Sequence, residues 1–180
     1  MATSVVRAIQ DADIPGTAAA LIEVHATDGY PVEGVDQPEE WITPPTVIQA
    51  WVAEIDHRIV GHVAIMRPQG EDAVALWQKQ TNGAGTEIAV LARLFVIREA
   101  RGHSVGEELM RAAAAYAQQR GMRLVLDVMT KDTAAIRLYE RLGWRPIGKA
   151  IHRYGDDQQI NAICYVSPAT PPVPASDHRA

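Results

Sequence analysis

The sequence predicts a mixed α/β (α+β) fold with one central sheet of about six to seven strands, parallel at its central pair and flanked by about four helices. Three observations support this prediction. The chain has 180 residues, enough to bury one sizeable core. Strands and helices alternate in its middle, which favours parallel pairing there. Hairpin patterns near both ends favour antiparallel pairing.

In the first half of the chain, helix-capping residues and prolines indicate where the helices and loops begin. Asp13 can cap a helix that has Pro15 in its first turn. Four prolines make residues 31–46 a loop. The elements expected here, in order, are a strand over 4–9, a helix over 14–25, one helical turn near 39–41, hairpin strands over 49–55 and 59–66, and a short helix over 73–79.

The second half shows clearer periodicity. Residues 104–120 place apolar side chains at helical spacing, and Gly121 follows as the helix end. The almost continuous apolar run over 123–129 indicates a strand buried on both faces. The elements expected here are strands over 91–97 and 123–129, helices over 104–120 and 133–142, and a final hairpin over 144–151 and 160–166.

Composition and charge narrow the classes of partner. A net charge of −5 and a pI near 5.6 argue against nucleic acid, since a phosphate backbone requires a basic face. The lone cysteine, Cys164, cannot form an internal disulfide and fits a reducing compartment. No apolar run approaches the roughly 20 residues that span a bilayer. The first residues are too polar for a signal peptide. We therefore expect a cytoplasmic protein with no membrane partner.

The domain boundary is expected near residue 166. Residues 1–166 carry all the periodic segments and should form a single domain. Residues 167–180 contain four prolines and no apolar period, so they are predicted to be a disordered tail.

The most informative segment runs from Leu94 to Leu109. An apolar strand leads into the basic, glycine-bearing turn Arg101-Gly102-His103, and the turn leads directly into an Ala-rich amphipathic helix. This order gathers free backbone N–H groups and the positive end of a helix dipole at one place. Such a place binds phosphate.

Two motifs in this order resemble the GNAT family of acyl-CoA N-acyltransferases. The first is the turn, Arg101-Gly102-His103-Ser104-Val105-Gly106, which is similar to the family pattern Arg/Gln-x-x-Gly-x-Gly/Ala after a strand. The second is the helix from Asp132 to Trp144, which is similar to the family pattern Asn-x-x-Ala-x-x-Leu-Tyr-x-x-x-Gly-Phe. The clear match covers about residues 90–147.

The resemblance implies acetyl-CoA as co-substrate, with no metal. It implies that the diphosphate lies over the turn and that the pantetheine arm follows a strand backbone between two splayed parallel strands. It also implies that Tyr139 protonates the departing thiolate. The cofactor-binding residues implied are Leu94, Phe95, Val96, Arg101, Gly102, His103, Ser104, Val105, Gly106 and Asp132.

Two positions depart from the family pattern. Ser104 replaces a glycine; we expect it to be right-handed and to cap the helix, because a left-handed serine would cost roughly 1–2 kcal/mol. Asp132 replaces an asparagine. It should also cap its helix, but it adds a negative charge near a phosphate-rich ligand.

The sequence identifies the general base that would deprotonate the amine less clearly than it identifies Tyr139 as the general acid. Relatives often place a glutamate where this chain has Val90, and Glu87 is the nearest carboxylate, so Glu87 is the first candidate. Glu54, His57 and His62 on the hairpin are alternatives, as is a chain of water molecules.

The implied activity is N-acetyl transfer from acetyl-CoA to a primary amine by direct attack in a ternary complex. Because Val90 replaces the usual glutamate, a non-catalytic acyl-CoA sensor or regulatory module is the alternative. Acidic residues in the loops 26–48 and 67–88 favour a cationic acceptor, such as an aminoglycoside, a polyamine or a peptide N-terminus. A small-molecule or peptide amine is therefore the expected partner. The oligomeric state is open, a homodimer included.

Overall fold

The computed structural model describes residues 3–82 and 87–169. Within them, seven strands form one sheet and five α-helices flank it. In chain order the elements are β1 Val5–Ala8, α1 Ile14–Asp28, α2 Pro38–Ile42, β2 Val47–Ile55, β3 Arg58–Met66, α3 Asp72–Thr81, β4 Glu87–Val96, α4 Val105–Gln119, β5 Met122–Met129, α5 Thr133–Arg141, β6 Arg145–Tyr154 and β7 Gln158–Val166.

The sheet order is β1-β2-β3-β4-β5-β7-β6, and only the central β4–β5 pair is parallel among the described strands. The predicted fold class is therefore confirmed. The parallel ladder is short, because it joins Glu87–Val90 to Met122–Val125 and then stops. Beyond that point β4 pairs only with β3 and β5 pairs only with β7. The two central strands thus separate at their carboxyl ends and leave an opening in the sheet.

Helices cover both faces of the sheet. The larger core packs α1 and α4 against one face, with Leu21, Leu109 and Leu124 fully buried. The smaller core packs α3 against the other face through Val74 and Trp77. The two cores hold the central strands from both sides, as the apolar run in β5 predicted.

Gly61 on β3 is required by the close approach of α4. A Cβ at this position would lie 3.0 Å from Leu109 Cδ1 and 3.1 Å from the Phe95 carbonyl oxygen. The backbone of β3 therefore lies close beneath the helix that begins at the predicted phosphate turn, and this contact fixes the height of that turn above the sheet.

Most predicted elements are present, with shifted ends. β4 begins at Glu87, four residues before the expected start, because residues 87–90 pair with β5 and so become part of the sheet. α3 extends to Thr81 because its apolar side packs on the sheet. Ser167 remains ordered: its N–H donates to the Leu124 carbonyl at 2.8 Å. The rest of the predicted disordered tail, from residue 170 onward, lies outside the described residues.

A β-bulge interrupts β4 at Arg93. The register with β3 shifts between His62 and Ala64, and Arg93 has a φ of 59°, a conformation that bulky residues rarely adopt. His62 supports the bulge, because its Nδ1 lies 2.8 Å from the Arg93 carbonyl oxygen. The His62 ring is fully buried and stacks on Phe95, with 5.2 Å between the ring centroids.

None of the three α-helix N-caps expected from the sequence, at Asp13, Ser104 and Asp132, forms a side-chain capping bond. Ser104 is left-handed, with φ 62° and ψ 16°, and its hydroxyl makes no capping bond. The prediction of a right-handed capping serine was therefore wrong. The turn reverses direction sharply before α4, and this reversal requires positive φ at both Gly102 and Ser104. Asp132 likewise occupies the N-cap position of α5 without a side-chain cap bond.

Replacing Ser104 with glycine should stabilise the protein. Glycine removes the left-handed penalty, and after its greater entropy loss on folding we expect a gain of about 0.5–1 kcal/mol in the free energy of unfolding. Ser104→Ala, which keeps the strain and loses only a hydroxyl without a capping bond, should change stability by less than about 0.5 kcal/mol. Urea unfolding measures both. A loss of stability in Ser104→Gly would contradict the left-handed assignment.

Stability should fall between about pH 6.5 and pH 4 because of His62. Burial lowers the pKa of this histidine to about 4, so on acidification the unfolded chain takes up the proton first. The loss across this window should approach about 3 kcal/mol. His62→Gln, which does not titrate, should flatten this part of the curve, whereas the exposed His103→Gln should keep it. Urea unfolding at several pH values tests this, and parallel curves for wild type and His62→Gln would refute it.

Candidate active site

The opening between β4 and β5 leads into a cavity of about 1000 Å³. It is bounded by both strands, the Arg101–Gly106 turn, the start of α5, and the segment after α1. Of the predicted cofactor residues, all but His103 line it: Leu94, Phe95, Val96, Arg101, Gly102, Ser104, Val105, Gly106 and Asp132. The structure therefore gathers both sequence motifs around one cavity.

The turn before α4 offers unpaired donors. Within the described part of the chain, none of the six consecutive main-chain N–H groups from Gly102 to Glu107 donates to a protein acceptor. The first internal bonds of this region are those of Arg101 to Arg98 and of Glu108 to Ser104. Open amides at the amino end of a helix of 15 residues form an anion site.

The main chain of β4 faces the opening next to this turn. The N–H of Ile97 donates to the Val60 carbonyl on β3 at 2.9 Å. Because successive strand residues alternate, the N–H of Val96 points the other way, into the opening, whereas the Val96 carbonyl oxygen accepts from Arg101. A strand edge left unpaired in this way can bond an extended ligand as if it were an added strand.

Arg101 is directed toward α1 and the strand end. Its Nε and Nη2 donate to the Val96 carbonyl oxygen at 3.1 and 3.0 Å, and Nη2 also donates to the Asp28 carboxylate. The Arg101 guanidinium holds the pKa of Asp28 below its usual range. In this arrangement the guanidinium bridges one end of the cavity, and the main-chain amides of the turn remain open.

Tyr139 projects from α5 into the same cavity. Its ring is buried beside Trp144, with 6.0 Å between the centroids, and its hydroxyl has no hydrogen-bond partner among the described residues. Burial raises the pKa of this phenol, so it stays protonated across the physiological range. Tyr139 can therefore act as a proton donor to a group bound in this cavity.

None of the base candidates taken from the sequence reaches the cavity. Glu87 is exposed at the start of β4, where the ladder to β5 is still closed, so no opening exists beside it. Glu54 binds Arg7 at 2.7 Å, and the His57 side chain is 99% exposed at the β2–β3 turn. His62 is enclosed between strands and held neutral by its low pKa.

Sequence reasoning missed a second ionisable group in the cavity. The Asp127 carboxylate on β5 lies 4.0 Å from His152 Nδ1 on β6, and His152 Nε2 lies 3.2 Å from Glu33 Oε1 in the segment after α1. All three residues line the cavity. Loss of hydration raises the pKa of Asp127. A carboxylate within the apolar run that follows Arg123 was the signal that could have revealed Asp127.

Arg93 contributes a cation to the same cavity. The bulge directs its side chain against α2, where the guanidinium lies 4.6 Å from the Trp41 ring centroid and donates to the Trp41 carbonyl oxygen. Tyr30 packs edge-on against Trp41, with 5.8 Å between centroids. This side of the cavity therefore combines an aromatic wall with one positive charge.

Only one of the two loops expected to shape an acceptor pocket does so. Residues of the segment 28–33 and Trp41 line the cavity, whereas none of the described residues between 67 and 88 does. That segment forms α3, which packs on the opposite face of the sheet, and Trp77 lies in that core. The acidic residues Glu71 and Asp72 are therefore not part of the pocket.

The described residues provide neither a metal cluster nor a membrane-spanning helix. Among them, no group of three or more histidine, cysteine, aspartate or glutamate side chains is arranged to hold a metal ion. No helix in the same residues combines the length and the hydropathy needed to cross a bilayer.

Solved structures with this fold are numerous. The chain is similar to Arabidopsis thaliana NAA60 in complex with a bisubstrate analogue, with a TM-score of 0.67 over 92% of this chain and 98% of that one, at 18% identity. It is also similar to yncA from Salmonella typhimurium, determined with its cofactor acetyl-CoA, with a TM-score of 0.65 over 91% and 92% of the two chains, at 14% identity. At these identities the similarity shows the fold.

Sequence comparison gives the family. Among curated proteins, the chain is similar to the probable N-acetyltransferase camello of Xenopus laevis, 33% identical over 96 residues that cover 53% of this chain and 37% of that protein. The chain thus spans less than half the length of this relative. A model of the acetyltransferase (GNAT) family matches residues 18–144, well over half of the chain. The chain therefore belongs to the acetyltransferase (GNAT) family.

Proposed function

We propose that this chain transfers an acetyl group from acetyl-CoA to a primary amine within a ternary complex. One observation supports this proposal above all. The open amides from Gly102 to Glu107, the open strand edge at Val96 and the protonated phenol of Tyr139 all border the same cavity. The acetyl-CoA bound to the structural neighbour from Salmonella typhimurium supports this choice of donor.

The diphosphate of acetyl-CoA binds the amides between Gly102 and Glu107. The dipole of α4 adds about 0.3–1 kcal/mol of attraction, and charge-assisted bonds to the amides add more. Glu107 lies near these amides, but its carboxylate forms an ion pair with Arg111, one turn further along α4, at 2.6 Å. This ion pair lowers the pKa of Glu107 and partly neutralises its charge. The pantetheine arm then bonds the main chain at Val96.

The thioester lies between the separated strands, where the acceptor nitrogen attacks its carbonyl carbon. A C–N bond forms, the C–S bond breaks, and the electron pair leaves on sulfur. Tyr139 donates its hydroxyl proton to this thiolate and regains a proton, relayed by water, from the nitrogen, which loses its second proton as the amide forms. A thiol ordinarily titrates near 8.5 and a phenol near 10, and burial raises the pKa of Tyr139 further, so the transfer requires that the same loss of hydration also destabilise the thiolate.

Deprotonation of the amine needs a separate group. A primary amine of pKa about 10.4 is mostly charged at neutral pH, and removing its proton is a problem of roughly 4–5 kcal/mol. Asp127 is placed to accept this proton, because its raised pKa makes it a better base than an ordinary aspartate. His152 and Glu33 continue from Asp127 toward the cavity mouth. The non-catalytic acyl-CoA sensor was the alternative because Val90 replaces the usual glutamate. A base on β5 would supply the function of that missing glutamate.

Gly106→Glu should abolish acetyl-CoA binding. Gly106 lies in the first turn of α4, and a carboxylate there would repel the diphosphate from the amides. Loss of two charge-assisted bonds corresponds to at least about 100-fold weaker binding. Gly106→Gln is the matched control, with the same size and no charge, and should bind more tightly than the glutamate variant.

Calorimetric titration with acetyl-CoA measures this difference, and thermal unfolding reports whether the variants fold. A Cβ at Gly106 would lie 3.3 Å from Leu138 Cδ2, a contact that a small shift of that side chain relieves. Wild-type affinity in a folded Gly106→Glu variant would exclude the turn as the diphosphate site.

Asp127→Asn should lower kcat/KM by about 100-fold or more, the usual contribution of a general base. Because burial raises the pKa of Asp127, the wild-type profile of kcat/KM should show a carboxylate limb above the ordinary value of about 3.9. That limb should vanish in Asp127→Asn and persist in Tyr139→Phe, which removes only the acid. Asp156→Asn, in the exposed β6–β7 turn, is the control. An unchanged limb in Asp127→Asn would place the base elsewhere.

A further inference from the structure

Arg93 is a cation in the cavity that no carboxylate neutralises. None of the ion pairs among the described residues includes it. One Nη1–H donates to the Trp41 carbonyl, and the other donors of the guanidinium have no protein acceptor in the described part of the chain. The side chain is half-buried and lines the cavity, so its free donors face the ligand space.

Placing the charge there is costly. Loss of hydration lowers the pKa of Arg93. The left-handed backbone at Arg93 costs roughly 1–2 kcal/mol. His62 supports the bulge while its own Nε2 remains buried with no hydrogen-bond partner among the described residues. Strain, desolvation and an unpaired donor at one point of a sheet are typical of a site that binds a ligand.

Charges of both signs border the opening. Continuing the β4–β5 register beyond Val90 and Val125 would place Ala92 opposite Asp127, so Arg93 and Asp127 lie at the same level on the two separated strands. Glu33 is close enough to influence the pKa of Arg93, and it also binds His152, which lies 4.0 Å from Asp127. The cavity is therefore lined by one guanidinium and by two carboxylates that His152 connects.

We propose that the acceptor is a free amino acid, whose carboxylate binds Arg93 and whose amine faces Asp127. This inference rests on the proposed acetyl transfer and specifies its substrate class. A planar guanidinium with two free donors matches a carboxylate in a bidentate geometry. Tyr30, Pro31 and Trp41 form the adjoining wall, which is suited to an apolar or aromatic side chain.

The other acceptors suggested by the acidic loops fit less well. A polyamine or an aminoglycoside carries several cationic groups and no carboxylate. Either would bring positive charge toward the unneutralised Arg93 in a poorly hydrated cavity, where like charges repel strongly. A peptide N-terminus would present its carboxylate far from its amine.

Arg93 could instead serve only to hold α2 through Trp41. That role makes a different prediction, because a displaced α2 would impair every acceptor to the same degree. Discrimination between a carboxylate and a neutral group of the same shape depends on the guanidinium charge alone. Comparing amino acids with their carboxamides therefore separates the two roles.

The test is steady-state acetylation of L-amino acids with apolar and aromatic side chains, each compared with its carboxamide, monitored by thiol release. Wild type should prefer the carboxylate in kcat/KM by about 100-fold, as expected for one charge-assisted bidentate contact. The amine of a carboxamide is less basic and hence less protonated, so intrinsic reactivity opposes this preference. Arg93→Gln should bring the ratio near one, and Arg93→Lys should keep part of it.

Arg137→Gln, on the exposed surface of α5, is the matched control and should keep the wild-type ratio. Amine acetylation with no preference for carboxylates would overturn the inference and leave the transferase intact. An equal loss on acids and amides in Arg93→Gln would also overturn it, in favour of a structural clamp. Acetyl-CoA binding without turnover of any amine would contradict the proposed transferase itself.

Discussion

The site depends on one missing set of hydrogen bonds. β4 and β5 are the only parallel neighbours among the described strands, and their ladder ends at Val90 and Val125. Beyond that point each strand is paired only on its outer side, β4 with β3 and β5 with β7. The unpaired inner edges create a polar slot through a sheet that is otherwise sealed by two apolar cores. The other features of the site are placed relative to this slot.

The polar groups that line the slot come from several different elements of the fold. The open amides come from the turn before α4, whose height above the sheet is set by the close contact at Gly61. The phenol of Tyr139 comes from α5, and Asp127 comes from the far strand. Glu33 and His152 meet from segments 119 residues apart in the chain. Charges of both signs are thus gathered around one cavity.

Backbone strain is also concentrated around this slot. Ser104 and Arg93 both adopt left-handed conformations that a glycine would adopt at lower cost. At Ser104 the strain lets the turn present its amides, and at Arg93 it turns a cation into the cavity. Proteins keep such strain where function requires a geometry that regular secondary structure does not provide.

The sequence by itself determined the order of the elements, the parallel centre of the sheet, and the two motifs around the cofactor side. These follow from local rules: apolar periodicity, glycines at turns, and donors left open at a helix start. It also identified Tyr139 as a candidate residue, because the residues of a motif on one helix keep a fixed spacing whatever the rest of the fold does. Helix and strand ends were displaced where tertiary pairing overrode local preference, as at the start of β4.

Only the tertiary structure decided which ionisable side chains line the rest of the cavity. Glu87 was chosen as base by its nearness in sequence to the family position, but the ladder is closed where it lies. Asp127, His152, Glu33 and Arg93 are far apart in the chain, and no local pattern relates them. They come together because two strands separate and a loop and a hairpin close over the gap. Side-chain convergence of this kind depends on long-range packing, which a single sequence does not specify residue by residue.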